Sequence, residues 1–164
     1  MKNSSTYRLV FGILISVGLS FFTVYFFNMM TVIDQIQIHA QYNIVRALAL
    51  SIGSNFRFDA TSVFTGTQTT LGFFVPQIVA FFLLGYICGT FAKGAKRGFQ
   101  TSFLMIVIIF VIWIMLSIFS QVDLFDLFSG NELVTTLGGL LISFVGGLVG
   151  GIIGGKVSGP FEGI

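Results

Sequence analysis

The stretch LVTTLGGLLISFVGGLVGGIIGG, residues 133–155, carries no charged side chain and repeats small residues at every fourth position. At about 1.5 Å per residue it is long enough to cross a hydrocarbon core of roughly 30 Å as a helix. Its small residues fall into two adjacent rows. The first row contains Gly139, Ser143, Gly147, Gly151 and Gly155, and the second contains Gly138, Gly146, Gly150 and Gly154. The stretch therefore predicts a spanning helix with a flat strip of exposed backbone on one side.

This strip predicts close packing against another helix. Glycine in a helix interior is unfavourable by about 1 kcal/mol per residue on aqueous scales, so this many glycines need a compensating contact. Small-xxx-small surfaces provide one because two backbones can touch through van der Waals contacts and weak Cα–H···O bonds. Candidate partners are Gly85 and Gly89 in one upstream run and Gly12, Ser16 and Ser20 in another. Two interpretations stay open: the strip packs within the fold or against another subunit, or it lines a narrow pathway.

Three further apolar runs, residues 9–33, 71–92 and 99–122, are also free of charged side chains. Backbone polar groups find no water inside a bilayer, so each run should be a helix. Hydrophobic residues make up 55% of the chain and charged residues only 9%, and the mean hydropathy is +0.98. We therefore expect an all-α membrane protein with four transmembrane helices in a single domain, residues 1–164, and no soluble domain.

The sign of the charges alternates between the gaps that separate these runs. Basic residues precede the first run (Lys2 and Arg8) and separate the second run from the third (Lys93, Lys96 and Arg97). Another, Lys156, follows the last run. The gap between the third and fourth runs carries only acidic side chains, Asp123, Asp126 and Glu132. The positive-inside bias then predicts a multi-pass protein of the cell membrane with both termini in the cytoplasm. The basic turn at 93–97 either sets this topology, which we favour, or binds anionic lipid headgroups.

Residues 34–70 form the one sizeable segment between predicted spans, on the extracytoplasmic side. Its first half places a helical stripe at Ile38, Tyr42, Val45, Ala49 and Ile52, and Gly53-Ser54-Asn55 should end that helix. Phe56-Arg57-Phe58 then alternates like a short strand, and the threonine-rich tract 61–70 contains a turn candidate. We expect a small cap, with a two-stranded hairpin as one possible form.

Residue types that usually act in catalysis, proton transfer or metal binding are rare in this sequence. The apolar runs retain no charged group, which argues against proton-coupled transport and intramembrane aspartyl proteolysis. His39 is the single histidine, so a His-pair metal site is excluded. The acidic residues between the third and fourth runs, Asp123, Asp126 and Glu132, are better explained as a solvated turn than as a cation site. Gly150 to Lys156 nearly matches a phosphate loop, but Val157 replaces the required hydroxyl. We expect no catalytic residue, no cofactor, no metal and no nucleic-acid partner.

Two glycine-bearing stretches support a family resemblance. Residues 84–92, LGYICGTFA, lead into the basic turn, and the chain later repeats paired glycines from Gly146-Gly147 to Gly154-Gly155. These stretches resemble small glycine-zipper membrane proteins of archaea and bacteria. The resemblance covers about the last hundred residues and implies four spans, a cytoplasmic-membrane location and no assigned activity.

Taken together, these patterns favour a non-catalytic accessory or assembly subunit that packs through its glycine-rich helix faces with a larger membrane complex. Its partners would be the lipid bilayer and either other membrane subunits or copies of itself. A small homo-oligomeric channel, transporter or lipid-handling protein is the alternative. Four spans leave little room for an enclosed path in a monomer, which favours the first interpretation. Trp113, in the middle of the third run, is expected to pack against a neighbouring helix.

Overall fold

The computed structural model describes residues 2–27, 29–58, 76–121 and 128–160, and all regular secondary structure in these ranges is helical. The helices are α1 (Lys2–Ser20), α2 (Thr23–Phe26), α3 (Met30–Ala40), α4 (Ile44–Gly53), α5 (Pro76–Ala92), α6 (Ala95–Phe119) and α7 (Gly130–Val157), with a 3-10 turn at Ser54–Phe56 after α4. The all-α prediction is confirmed for the described part of the chain.

Among the described residues, two helices are long and apolar enough to cross a membrane, as judged by length and composition. They are Ala95–Phe119, which is α6, and Glu132–Val157 within α7. The stretches Thr6–Ser20 and Pro76–Ala92 are apolar but shorter. Two of the four predicted runs therefore form helices of spanning length, while the runs at 9–33 and 71–92 yield shorter helices within the described residues.

Helices α1, α5, α6 and α7 pack side by side, and their contacts fix the relative directions. The Ser16 hydroxyl of α1 donates to the Leu84 carbonyl of α5 at 3.1 Å, and the Ser102 hydroxyl of α6 donates to the Gly85 carbonyl at 3.2 Å. At one end of α7, the Gly94 N–H donates to the Gly155 carbonyl at 2.8 Å. Gly12 lies against Phe91 whereas Ser16 bonds to Leu84, so α1 runs antiparallel to α5. Gly85 and Gly89 lie against Gly147 and Gly151 in the same order, so α5 runs parallel to α7. Gly98 lies against Gly151 and Ile106 against Gly147, so α6 runs in the opposite direction to α7.

The prediction of one continuous helix over residues 9–33 is wrong, because α1 ends at Ser20 and the chain turns before α2 and α3. A buried polar cluster occupies the break. The Asn55 side-chain amide donates to the Ser20 carbonyl at 3.2 Å, the Thr23 hydroxyl lies 2.8 Å from Asn55 Oδ1, and the Ser51 hydroxyl donates to the Phe21 carbonyl. Side chains from the 44–56 segment thus bond to the backbone groups at the break.

Helices α3 and α4 form a helical hairpin within the segment predicted as a cap. The predicted single stripe is divided at residues 41–43, where the Asn43 side chain caps α4 by accepting from the Arg46 N–H at 3.1 Å. Tyr42 accordingly lies 86% exposed, whereas Ile52 is fully buried. The predicted helix end is confirmed, since α4 stops at Gly53.

The strand predicted at 56–58 is wrong: Phe56 closes the 3-10 turn, and the described residues contain no strand. Phe56 lies in the main core, with its ring 5.4 Å from the ring of Trp113 and nearly parallel to it. Burial of this aromatic side chain between helices outweighs the local alternation that favoured a strand. The end of α4 is therefore inserted between the long helices, and it is more than a superficial cap. The tract 61–70 lies outside the described residues.

The described exterior is apolar, and the described interior is rich in small polar side chains. The main core contains Ile52, Phe56, Phe81, Leu84, Cys88, Met105, Ile106, Ile109 and Trp113. Buried beside it are serines and threonines on several helices, including Ser16, Ser20, Thr23, Ser102, Ser117 and Ser143. Large apolar side chains are exposed along the same helices, among them Phe11, Leu14, Phe119, Leu141 and Val145. The core is apolar, as in a protein in water, but the exposed large apolar side chains are more extensive than such a protein usually shows.

Candidate functional site

The predicted glycine strip is in contact with α5 along much of its length, and we call this contact the glycine seam. A Cβ atom added to Gly85 would collide with the carbonyl oxygen of Gly147, and one added to Gly89 would collide with that of Gly151. In each case the nearest atoms belong to backbone, which cannot rotate away as a side chain can. The two candidate partners from α5 therefore lie directly against α7, as the sequence suggested for packing within the fold.

The second glycine row also faces α5. A Cβ atom on Gly146 would lie 2.8 Å from the Ile78 carbonyl oxygen. Equivalent atoms on Gly150 and Gly154 would meet the carbonyl oxygens of Phe82 and Tyr86, one helical turn further along each time. The absence of side chains on this face is thus what allows the two helix axes to approach so closely.

The two ends of the strip contact other parts of the chain. Gly139 lies against the Phe56 carbonyl, so the 3-10 turn packs against the start of the first glycine row. The Ser143 side chain is fully buried, and its hydroxyl donates to the Gly139 carbonyl at 2.6 Å. Gly155 lies against the Gly94 carbonyl in the turn between α5 and α6. The glycines of this strip from Gly139 to Gly155 therefore contact other parts of the same chain.

Helix α6 completes the packing around the seam. A Cβ atom on Gly147 would lie 2.7 Å from the Ile106 side chain, and one on Gly151 would lie 2.7 Å from the Gly98 carbonyl oxygen. Three helices therefore meet at these two glycines. A continuous opening through this part of the bundle would require them to separate.

The basic turn lies at one end of the bundle. Lys93 and Gly94 adopt positive φ angles of 51° and 89°, which allow the sharp reversal from α5 into α6. Lys96 is exposed, and Arg97 is partly exposed and has a partner within the chain. The hydrogen bond from Gly94 to Gly155 brings this turn beside Lys156. Predicted basic residues from two separate gaps thus share one end of the fold.

An ion pair marks the opposite end. The Arg57 guanidinium bonds to the Glu132 carboxylate at the start of α7, and the two side chains are 44% and 47% exposed. Next to it the Phe58 N–H donates to the Thr135 carbonyl at 3.1 Å. These contacts attach the 44–58 segment to the beginning of α7. Asp123 and Asp126, predicted to form an acidic turn near this end, lie outside the described residues.

A cavity of about 130 Å³ lies between α3, α4 and α6. It is lined by Val32, Gln35, Arg46, Ala49, Leu50, Gly53, Ser54, Arg57, Trp113 and Ser117, and we call it the arginine cavity. This site has no signature in the sequence, because its two arginines and its tryptophan come from distant positions. Trp113 itself is buried and stacked on Phe56, which confirms the predicted packing against a neighbour.

The described residues contain no group of three or more His, Cys, Asp or Glu side chains placed to hold a metal ion. Comparisons with protein-family models, with curated proteins and with solved structures found no match. The role of this chain is therefore inferred from its own contacts.

Proposed function

We propose that this chain is a non-catalytic integral membrane protein that serves as an accessory or assembly subunit of a larger membrane complex. The observation that supports the membrane location most is the large number of exposed apolar side chains, together with buried serines such as Ser16 and Ser102 that donate to carbonyls of a neighbouring helix. In water the exposed apolar surface would be unfavourable by about 25 cal/mol per Å². In a bilayer the same surface is solvated by lipid, and the interior polar groups hold the helices together.

The proposal includes four crossings, by α1, α5, α6 and α7. Helix α5 has 17 residues, which span about 25 Å at about 1.5 Å per residue and approach the thickness of a hydrocarbon core. Because successive crossings run in opposite directions, the basic turn and Lys156 would lie at the same end of the bundle as both termini. The positive-inside bias would place that end in the cytoplasm. The Arg57–Glu132 pair would face the other side. The resemblance to small glycine-zipper membrane proteins also stays a prediction from the sequence.

An accessory role is favoured over a channel because the glycine seam is closed. Backbone atoms of α5 and α7 are in contact along it, and the Ile106 side chain covers Gly147 from α6. A solute path through one copy would have to open these contacts. Because the glycines are engaged within the chain, a partner would contact other faces.

The face of α7 opposite the seam is the one we assign to a partner. It presents exposed aliphatic side chains at every fourth residue: Leu137, Leu141, Val145, Val149, Ile153 and Val157. Branched side chains such as valine have few χ1 rotamers in a helix, so they lose little conformational entropy when another helix packs on them. The exposed face of α6 instead carries larger and more flexible groups such as Met115 and Phe119.

A photo-crosslinking amino acid at Val145, which is 63% exposed, tests this assignment in native membranes. We expect a crosslink to one unlike polypeptide, identified by mass spectrometry and recovered in a reciprocal purification. The same amino acid at Ile118 on α6, which is 54% exposed, is the matched control and should react with lipid alone. A crosslink only between copies of this chain, with solute flux in liposomes, would favour the channel alternative. Equal lipid labelling at both positions would contradict a partner on α7.

A further inference from the structure

The arginine cavity has a charged opening and a buried, mostly apolar interior. Of the lining residues, Gln35, Arg46 and Arg57 are exposed, whereas Ala49, Gly53, Ser54, Trp113 and Ser117 are buried. Its volume of about 130 Å³ is close to that of engineered apolar cavities that hold a benzene-sized group. A compact polar group with the first carbons of a chain would fit such a space.

The charge at the opening is positive. Arg57 is paired with Glu132, so these two charges offset each other. The exposed Arg46 side chain also lines the cavity. Its backbone N–H, separately, donates to the Asn43 side chain that caps α4. A guanidinium presents several N–H donors in a planar fork that matches the oxygens of a phosphate. The cavity therefore favours an anion at its opening.

Trp113 provides a polar atom on the buried side. Its side chain is only 3% exposed and contacts Gly53 through the indole nitrogen, at a position where any added Cβ would collide. The indole Nε1–H is a hydrogen-bond donor, so an oxygen atom bound at this wall of the cavity would accept from it.

The cavity lies toward the C-terminal end of α6, since Ser117 comes shortly before the helix end at Phe119. This is also the end that carries the Arg57–Glu132 pair. If the chain crosses a bilayer as proposed above, that end reaches the depth of the lipid headgroups. Exposed apolar side chains of α6 that precede the cavity, such as Val111 and Leu104, continue from there toward the hydrocarbon.

We propose that the arginine cavity binds the phosphate headgroup of an anionic phospholipid, with the start of an acyl chain in its apolar part. Arg46 contributes the main charge-assisted hydrogen bonds. Trp113 forms the inner wall, and the rest of the lipid lies along the exposed face of α6. This inference rests on the proposed membrane location, but its test is independent of any partner protein.

Trp113 is the single tryptophan of the chain, so its fluorescence reports on the cavity directly. The full chain in dodecyl maltoside would be titrated with short-chain phosphatidylglycerol, phosphatidylcholine and inorganic phosphate. We expect a saturable change in emission with phosphatidylglycerol, at concentrations about tenfold lower than for the zwitterionic lipid. Equal binding of the two lipids would overturn the proposal. Inorganic phosphate binding as tightly as phosphatidylglycerol would also overturn it, because the hydrocarbon would then contribute nothing.

Substitutions at Arg46 test the assigned role. Arg46→Gln should weaken phosphatidylglycerol binding about tenfold, while Arg46→Lys, which keeps the charge, should lose less. Arg8→Gln, on α1 at the opposite end of the bundle, is the matched control and should bind as the parent does. Far-UV circular dichroism would verify that each variant is folded. A folded Arg46→Gln variant with parental affinity would show that the cavity does not bind the headgroup.

Discussion

Replacing Gly85 and Gly89 together by alanine is expected to lower the free energy of unfolding by about 4 kcal/mol, because overpacking typically costs about 1–3 kcal/mol per site. Both new methyl groups would collide with backbone, at the carbonyls of Gly147 and Gly151. The two helices can relieve this only by moving apart, which also disrupts the contacts of α6 with the seam. Reversible unfolding in mixed micelles of dodecyl maltoside and dodecyl sulfate would measure the loss.

The matched control is Gly18→Ala on α1, where an added Cβ would meet no atom within 4 Å. Alanine is the better helix former by up to about 1 kcal/mol on aqueous scales, so this variant should be as stable as the parent or slightly more stable. The seam substitutions are therefore expected to destabilise the protein and Gly18→Ala is not, although each replaces one glycine by alanine. A glycine seam variant as stable as Gly18→Ala would show that α5 and α7 are not in backbone contact.

Phe56→Ala is expected to lower the free energy of unfolding by about 3–5 kcal/mol, the usual cost of removing a buried aromatic side chain. The Phe56 ring is fully buried and packs against Phe81, Phe110 and Trp113 at centroid distances of 5.3, 5.6 and 5.4 Å. Its loss leaves a cavity where the 3-10 turn joins the long helices. The same detergent titration measures the effect, and Trp113 emission should change as well.

Phe119→Ala provides the control for this substitution, since Phe119 is 70% exposed at the end of α6. It removes the same atoms from a surface position and should change stability by less than about 1 kcal/mol. If Phe56→Ala and Phe119→Ala were equally mild, the 44–58 segment would be a superficial cap, as the sequence first suggested.

The parts of the fold that could be predicted from sequence are those encoded locally. The helical nature of the apolar runs followed from the absence of charge over long stretches, and the predicted last span, 133–155, falls inside α7. The glycine repeat likewise indicated which side of α7 would be approached closely, because a helix places every fourth residue on nearly the same face. Gly53 as a helix terminus was also a local signal.

The features that could not be predicted depend on contacts between distant residues. Hydropathy treats residues 9–33 as uniform, yet the chain turns after Ser20, where Asn55 bonds to its carbonyl. Nothing within the run itself specifies that partner. The alternation at Phe56-Arg57-Phe58 was locally ambiguous, and burial of Phe56 decided the outcome.

The arginine cavity shows the same limitation. Arg46 and Arg57 are neighbours only because α4 is followed by the 3-10 turn, and Trp113 reaches them from α6. In the sequence these residues appear as two unrelated outer charges and one aromatic in a span. The charge pattern of the sequence marks the arginines but does not place them at a common cavity.

The measurement that tests the membrane arrangement most directly is cysteine labelling with an impermeant maleimide on intact cells. Cys88, which is buried, would first be replaced by alanine, and single cysteines would be placed at exposed Tyr42, Lys96 and Ser129. We predict that the cysteines at 42 and 129 react from outside, and that the one at 96 reacts only after the membrane is permeabilised. Labelling of all three positions from the same side would contradict the proposed crossings by α5 and α6.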